Sequence, residues 1–588
     1  MQIEWTLGSA VIVSSSKSDR RIPKCCDAAP NASGAPGHPL TDISDNNGPL
    51  RPVANIGTAA YHAILVALTL CTLLIHGYHP LAEDGGLYAT GILTCLDGSL
   101  FAHDLPFAFA TRHYSVFAPL MAQLVRTLHL PLAWLLLLVD LAGTWLMLYA
   151  GGRIAAQCVR SSFARLCSVA LMAAWFTLPV AGTSLLLMDP YVTARTLSTP
   201  LSLLAIAFVL RFEWSSRSRN SLADLGPCAL CLVLAGAFHP LMTGYATAFV
   251  IVLLVAKLPS ARARNTGWAA LTTVAILASA ALQVAAPAES AATVAAAYSR
   301  TYWFLSNWQW FERIGLAGPL LVLALIQFFK LIRPIGQPRP SAAPDPTTAL
   351  CRAGLAIGLI ALLISMLFAH QDINTHLVAR LQPLRAFVLV YAVMVILLGA
   401  TLADSFRSWV QRRIPPAGLP FAPAVPVLFL LLFAGIMYTA QRSIFPASQH
   451  IELPWRSPIN PWVQAFVWIR LNTPKDAFFA LDSDYITTHG EDAQTFRAFA
   501  QRSVLPDFSK DGGEASIQPR LASRWFEGQA AGRGLSSATP EDRAARLQPF
   551  GVSWVVLRAD AATREPCPYV NAAVKVCRLP SAIEPGKR

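Results

Sequence analysis

The chain has 588 residues, of which 54% are hydrophobic and only 13% are charged, and its mean hydropathy is +0.46. These values exclude a soluble globular protein of this length and indicate a polytopic membrane protein. The net charge of +13 does not indicate a nucleic-acid partner, because the lysines and arginines are scattered over short segments between apolar runs.

Residues 1–52 contain Pro, Gly, Ser, Asn and Asp without hydrophobic periodicity. The short apolar patch near Val11 lacks the basic flank of a secretory signal. We therefore predict a disordered cytoplasmic tail or, alternatively, a start codon placed too far upstream.

About eleven apolar segments are long enough to cross the ~30 Å hydrocarbon core of a membrane as helices. Together they predict a transmembrane helical domain over residues 53–443. The predicted spans lie at roughly 57–77, 131–150, 164–186, 196–212, 223–239, 241–256, 267–287, 314–333, 351–369, 385–403 and 422–442.

Basic residues follow alternate spans, and the positive-inside rule places these residues in the cytoplasm. The N-terminus is then cytoplasmic, and the long loop 78–130 and the region 444–588 lie outside, in the periplasm of a bacterial inner membrane. Within that loop, residues 113–129 are predicted to form an amphipathic helix at the membrane interface, because Gln123 and Arg126 interrupt its apolar face.

Region 444–588 has the charge density of a soluble domain. The sequence "INPWVQAFVWIRLNTPKDAFFALDSD" predicts a helix, a turn and a strand, and "FGVSWVVLRAD" predicts a buried strand, so we expect a small α/β domain. Its middle, from Asp507 to Pro540, is rich in Gly, Ser, Lys and Asp and predicts a loop, either ordered or mobile. Cys567 and Cys577 are the only cysteines of this region, and in the periplasm they are expected to form a disulfide.

The predicted topology gathers carboxylates and cations from distant segments at one membrane surface. Such a set suits a site where an acid or base acts beside a bound phosphate, since the planar guanidinium group of arginine donates paired hydrogen bonds and keeps its charge. The residues are Glu83, Asp84, His103, Asp104, Arg112, His113, Asp189, Arg195, His239, Arg380, Gln382 and Arg385.

Structural roles are also open for the cations and for His239. An arginine at a helix end, such as Arg385, can extend to lipid headgroups, and Arg195 can pair with the nearby Asp189. His239, which precedes a proline, can cap a helix end.

The acids have structural alternatives as well. Glu83 and Asp84 can occupy the first turn of a helix, where negative charge is favourable by ~0.3–1 kcal/mol. Asp140 lies within a predicted span, where an ionised carboxylate is unfavourable by ~2.5–3.5 kcal/mol and needs a partner. That partner is either a hydroxyl on another helix or an ion or proton path.

The acidic pair "ED" at 83–84 follows the first span, and the segments "WIRLNTPKDAFFALD" (468–482) and "TFRAFAQRSVLPD" (495–507) lie in the C-terminal region. In these motifs and in its arrangement of spans, the chain resembles the C-type superfamily of integral membrane glycosyltransferases, GT-C. The resemblance covers the architecture of nearly the whole chain, but its motifs are short. It implies a GT-C-like α-helical membrane fold with a small C-terminal α/β extracytoplasmic domain.

The resemblance further implies transfer of a sugar from a polyprenyl-phosphate carrier to an acceptor, with membrane lipids as the surroundings. Asp84 is the implied catalytic base and Glu83 the second choice, while Arg195, Arg380 or Arg385 would stabilise the departing lipid phosphate. His239, His103, Asp104 and Asp189 stay candidates for binding the substrate or its phosphate.

Other functions stay open at this point. The His and acid residues show no fixed metal-ligand spacing, so no metal is required, although a divalent ion could bridge acid and phosphate. A non-catalytic scaffold or an envelope-polymer assembly protein could have the same fold, and a transporter could use Asp140. The sequence identifies neither the sugar, the acceptor nor a protein partner.

Overall fold

A computed structural model describes residues 57–214, 225–258, 260–331, 345–413 and 424–579. The predicted tail, 1–52, lies outside these residues. Up to residue 444 the described chain is built from helices and their connections. In chain order these are α1 Thr58–His76, α2 Glu83–Leu96, α3 Leu105–Ala108, α4 Phe117–Leu128, α5 Leu132–Cys158, α6 Ser162–Ala174, α7 Arg195–Trp214, α8 Gly226–Phe238, α9 Pro240–Ala256, α10 Ala261–Ala285, α11 Ala291–Tyr298, α12 Trp310–Leu331, α13 Pro346–Phe368, α14 Leu377–Arg380, α15 Phe387–Arg413 and α16 Ala424–Ile444.

Among the described residues, eight helices are long and apolar enough to cross a membrane: α1, α5, α7, α10, α12, α13, α15 and α16. Three more predicted spans coincide with the shorter apolar helices α6, α8 and α9, of 13, 13 and 17 residues. The protein is therefore a polytopic helical membrane protein.

The predicted span 164–186 is interrupted. Helix α6 ends at Ala174, and residues 175–194 form an irregular segment that is closed by a bridge between Pro179 and Leu186. The prediction was wrong here because the apolar composition reflects burial in the helix bundle, not a continuous helix. The buried side chains of this segment include Phe176, Val180, Leu185 and Leu187.

Helix α15 lies at the centre of the bundle and packs on α6, α12 and α13, while α5 packs on α7. In the most apolar stretch of the segment that contains α15, 83% of the residues are buried. In the corresponding stretch of α10, none is buried. Helices α10 and α16 instead expose leucine and valine side chains, as expected for helices in contact with lipid.

The connection between α1 and α5 contains α2, α3 and α4. Helix α4 lies within the predicted amphipathic segment 113–129. It buries Phe117 and Met121 and exposes Leu120 and Leu128. Apolar side chains on both sides of such a helix are compatible with a position between protein and lipid.

The C-terminal region, residues 445–579, contains a five-stranded sheet with helices around it. Strands β2, β1 and β3 are parallel, and β5 and β4 continue the sheet in antiparallel pairs, in the order β2-β1-β3-β5-β4. Its elements are α17 Pro461–Asn472, β1 Phe478–Ala480, α18 Phe496–Ala500, β2 Ser503–Val504, α19 Lys510–Ile517, α20 Ala522–Gly532, α21 Pro540–Leu547, β3 Trp554–Arg558, β4 Tyr569–Val570 and β5 Val574–Arg578.

The predicted helix and the two predicted strands correspond to α17, β1 and β3. Between Asp507 and Pro540 the prediction of a loop is wrong, since α19 and α20 form there. Buried contacts outweigh the weak helix propensity of this Gly- and Ser-rich stretch: Asp511 pairs with Arg497, and the Trp525 side chain is buried. A disulfide joins Cys567 to Cys577 of β5.

Candidate active site

The acidic pair begins α2 at a contact with the C-terminal region. Glu83 has a φ of 50°, in the left-handed region that is uncommon for residues other than glycine. Its backbone N–H donates to the Ala493 carbonyl at 2.8 Å, and the preceding residue, Ala82, forms an isolated bridge with Gln494. The backbone at the pair is thus fixed by hydrogen bonds to a segment about 410 residues away in sequence.

The two glycines after the acids allow this close approach. A Cβ atom at Gly86 would lie 1.6 Å from Thr495 Oγ1, and one at Gly85 would lie 2.6 Å from the Pro80 carbonyl oxygen. Glycine is therefore needed at both positions for close packing against neighbouring segments.

Asp84 is ion-paired on both carboxylate oxygens. Arg195 Nη2 donates to Oδ2 at 3.2 Å, and Lys510 Nζ donates to Oδ1 at 3.1 Å. Lys510 also pairs with Glu83, and Arg195 donates to Asp189 Oδ2 from Nη2 at 2.7 Å and from Nε at 3.1 Å. The result is a chain of alternating charges that joins α2, α7 and α19.

Burial differs along this chain of charges. The side chains of Arg195 and Lys510 are 9% and 12% exposed, whereas that of Asp84 is 31% exposed. The cations are therefore largely buried, and the acids, Asp84 at 31% and Glu83 at 27%, are the more exposed members of the set.

The two cations dominate the electrostatics of Asp84. Burial alone would raise the pKa of Asp84, but the charges of Lys510 and Arg195 outweigh it and hold the pKa well below its usual range. Burial likewise would lower the pKa of Lys510, but Glu83 and Asp84 raise it above its usual value. Both groups stay ionised at neutral pH.

Glu514, one turn after Lys510 on α19, is a further acid near the site. Burial, together with the negative charges of Asp84 and Asp511, raises the pKa of Glu514 to about 8. Its Oε2 accepts from Gln518 Nε2 at 3.3 Å. Neither Lys510 nor Glu514 was predicted from the sequence as a site residue, because both lie in the stretch predicted to be a loop.

Arg385 acts electrostatically on Asp84 and has no carboxylate partner among the described residues. Its positive charge helps to lower the pKa of Asp84, and its guanidinium carbon lies 5.2 Å from the ring centroid of Tyr302. Within the described part of the chain, Arg385 Nε and Trp303 Nε1 are buried without hydrogen-bond acceptors. Both residues line a cavity of about 10 Å³, enough for one water molecule.

Arg380 is engaged differently from Arg385. Its Nη2 donates to Glu289 at 2.8 Å, and its Nε donates to the Ser516 carbonyl at 2.7 Å. Glu289 also contacts His376 Nδ1 at 2.6 Å. The charge of Arg380 is thus balanced within the protein, which favours a structural role.

The structure gives His239 the position of a helix cap. Its Nδ1 accepts from the backbone N–H of Met242 at 3.4 Å at the start of α9. This contact agrees with the alternative of a helix-end cap.

His103 and Asp104 contact the C-terminal region at some remove from Glu83. Asp104 pairs with Arg497, which donates to both oxygens of Asp511 at 2.8 and 2.9 Å. The His103 ring stacks on Phe478 with a centroid distance of 4.9 Å. These two residues join the first connection to the C-terminal region.

Asp140 lines a cavity of about 10 Å³ together with Thr72, His76 and Asp189. A cavity of this size accommodates about one water molecule. Thr72 and Thr144 carry hydroxyl groups beside the same cavity, and a hydroxyl partner for Asp140 stays a prediction.

In the described ranges, no group of three His, Cys, Asp or Glu side chains has the arrangement of a metal site. The ammonium group of Lys510 lies between Glu83 and Asp84, at the place where a divalent ion would bridge the two acids. The donor set of this pair therefore does not fit a metal ion while Lys510 is in place.

No protein-family model matches the chain, and no curated protein sequence matches it. Among solved structures, the chain is similar to a crystal structure of the Archaeoglobus fulgidus oligosaccharyltransferase in complex with zinc and sulfate. The TM-score is 0.43 and the identity 13%, over 84% of this chain and 68% of that chain. A similarity of this size carries no conclusion about the activity of this chain.

Proposed function

We propose that the protein transfers a sugar from a polyprenyl-phosphate-linked donor to an acceptor hydroxyl at the Glu83–Asp84 pair. The observation that supports this proposal is the partly exposed side chain of Asp84 between two buried cations, with the charge of Arg385 also acting on it. The proposal includes a periplasmic site in a bacterial inner membrane, formed by a transmembrane domain, 53–443, and a C-terminal domain, 444–588.

Asp84 would orient the acceptor hydroxyl. Each of its oxygens receives one donor in the structure, which leaves further lone pairs for a hydroxyl within ~2.6–3.2 Å. Because its pKa is low, Asp84 is a weak base, so its main contributions would be the position of the hydroxyl and stabilisation of the charge that develops on it.

Glu83 would act through Lys510. The shared contact of Lys510 with both acids fixes the ammonium group and, through it, the rotamer of Asp84. Glu83 is thus proposed as a positioning residue, and the site would be complete only when α19 lies against α2.

Arg385 is the first choice for the lipid phosphate, and Arg195 is the second. Arg195 already binds two carboxylates, whereas Arg385 Nε and the nearby Trp303 Nε1 are donors without acceptors among the described residues. Phosphate oxygens would satisfy such donors, and the positive charge would stabilise the departing phosphate. Because the charge of Arg380 is balanced within the protein, we assign Arg380 no direct role in binding the lipid phosphate.

The isoprenoid chain of the donor requires apolar surface beside the phosphate site. Trp310, Phe311 and Ile314, at the start of α12, expose 71%, 45% and 58% of their surface. They follow Trp303 closely in the chain. We propose that the lipid lies along this surface.

The test is a transfer assay with purified protein in lipid nanodiscs and radiolabelled polyprenyl-phosphate sugars. Wild-type protein should transfer label, Asp84→Asn should lower turnover at least ~100-fold, and Glu83→Gln should lower it less. The matched control is Asp97→Asn in the same connection, since Asp97 forms an exposed ion pair with Lys475 and accepts from the neighbouring Ser99. Equal turnover in wild type and Asp84→Asn would end the assignment.

Arg385→Gln separates phosphate binding from a structural role. If Arg385 stabilises the departing phosphate, the variant should lower kcat more than it raises KM, because the charge develops in the transition state. An unchanged kcat would assign the phosphate to another cation.

A further inference from the structure

Asp104 lines a cavity that is separate from the Glu83–Asp84 pair. The residue is 1% exposed. Its Oδ2 accepts from Arg497 Nε and from the Val504 backbone N–H at 3.2 Å, whereas Oδ1 has no hydrogen-bond partner among the described residues. Since a buried carboxylate oxygen without a donor is unfavourable, a group that donates to Oδ1 is expected in the cavity.

The cavity lies between the first connection and the sheet of the C-terminal region. Its volume is about 150 Å³, compared with about 10 Å³ for the cavities at Arg385 and at Asp140. If each water-sized position takes ~15 Å³, the cavity holds roughly ten such positions. This is about the space that one pyranose ring needs. It is lined by Asp104, Arg524, Phe478, Leu505, Pro506 and Phe550, among others.

The lining combines an acceptor, a donor and apolar faces. Asp104 Oδ1 can accept from a hydroxyl, and Arg524 lies at the exposed side, where its Nη2 donates to the His103 carbonyl and leaves further N–H groups. The rings of Phe478 and Phe550 provide apolar surface for C–H groups. A carboxylate, an arginine and aromatic rings around a ring-sized space fit a polyhydroxylated ring.

A neutral ligand fits the charges better than an ammonium compound. Burial raises the pKa of Asp104, although Arg497 lowers it. The charge of Asp104 is already opposed by the guanidinium group of Arg497. A ligand therefore need not bring a positive charge, and a hydroxyl is a suitable partner for either state of the carboxyl group.

We infer that this cavity is a binding site for one neutral sugar residue, held by Asp104 and Arg524 against Phe478 and Phe550. The inference concerns binding alone and is independent of whether Asp84 is catalytic. Asp104 contacts Arg497, and Arg497 contacts Asp511, the neighbour of Lys510 in α19. Under the proposed function, the bound sugar would belong to the acceptor or product glycan.

The experiment is saturation-transfer NMR and calorimetry on the full chain in nanodiscs, with free glucose, mannose, galactose and N-acetylglucosamine as separate probes at millimolar concentrations. At least one sugar should bind. Arg524→Ala should weaken that binding ~10-fold or more, by loss of a charged hydrogen bond. Arg520→Ala, a nearby arginine that contacts Gln518 outside the cavity, should leave it unchanged.

Each outcome decides the inference. The inference would be overturned if none of the four sugars binds, or if Arg524→Ala binds sugar as tightly as wild type does. It would also be overturned if the free amino acids glycine and alanine bind to the protein and the sugars do not. Leu505→Trp, which fills the cavity, provides a second variant and should abolish binding. Normal transfer without sugar binding, or sugar binding without transfer, separates this inference from the proposed function.

Discussion

Replacing Lys510 with methionine removes the ammonium group between Glu83 and Asp84. The side chains of Lys510, Glu83 and Asp84 are 12%, 27% and 31% exposed. At the 3.1 Å separation of Lys510 Nζ and Asp84 Oδ1, the gross Coulomb attraction is about 5 kcal/mol for an effective dielectric constant of ~20. Hydration of the freed carboxylates offsets part of this, so we expect the free energy of unfolding to fall by about 2–4 kcal/mol.

The loss should depend on pH. In the wild type, the low pKa of Asp84 contributes stability above the unfolded-state pKa, and this contribution is lost only as pH falls through the lowered folded-state value. In Lys510→Met, the ammonium group no longer lowers the pKa of Asp84, and the negative charge of Glu83 beside it raises that pKa in the folded state. A raised pKa favours the fold at low pH, so the deficit of the variant should shrink between about pH 7 and about pH 5.

The measurement is denaturant unfolding of wild type and Lys510→Met in the same detergent at both pH values. The matched control is Lys475→Met, because Lys475 and Asp97 are 66% and 39% exposed and such pairs contribute little. A variant as stable as wild type, or a deficit that is the same at both pH values, would refute the ion bridge.

Three further changes test other parts of the site and fold. Turnover should fall as pH rises through about 8, the pKa to which burial raises Glu514, because the ionised Glu514 carboxylate repels the phosphate of the donor. Glu514→Gln should remove this fall in turnover. A fall that persists in the variant would belong to another titrating group. Gly86→Ala should lower the thermal midpoint, since its Cβ would lie 1.6 Å from Thr495 Oγ1, whereas Gly98→Ala, with nothing within 4 Å, should not. Cys577→Ser should lower the free energy of unfolding of the C-terminal region by about 3 kcal/mol, because the disulfide closes a loop of ten residues. A reductant should destabilise the wild type by the same amount. A wild type whose stability does not change with reductant would contradict the disulfide.

The helical membrane fold follows from composition and periodicity because long apolar runs have few other stable structures in a membrane. The contact between Asp189 and Arg195 was among the alternatives that the sequence offered, since six residues separate them across a helix start. The span predicted at 164–186 was wrong because burial in the bundle and burial in lipid leave the same apolar signal, which composition does not separate.

The features of the site that could not be predicted from the sequence depend on long-range contacts. Lys510 reaches Asp84 across 426 residues, and its stretch resembles a loop because the buried pairing of Asp511 with Arg497, which stabilises α19, is invisible in local composition. Arg380 looked like a phosphate ligand for the same reason, since its partner Glu289 lies 91 residues away. The charges were visible in the sequence, but their pairing was not.

A structure of the protein in nanodiscs with bound polyprenyl phosphate tests the central claim most directly. We expect the phosphate oxygens within ~2.7–3.2 Å of the Arg385 guanidinium group, with the isoprenoid chain along the start of α12 and the side chain of Asp84 facing the phosphate. A phosphate bound elsewhere, with Asp84 facing bulk solvent, would contradict the proposed sugar transfer at this site.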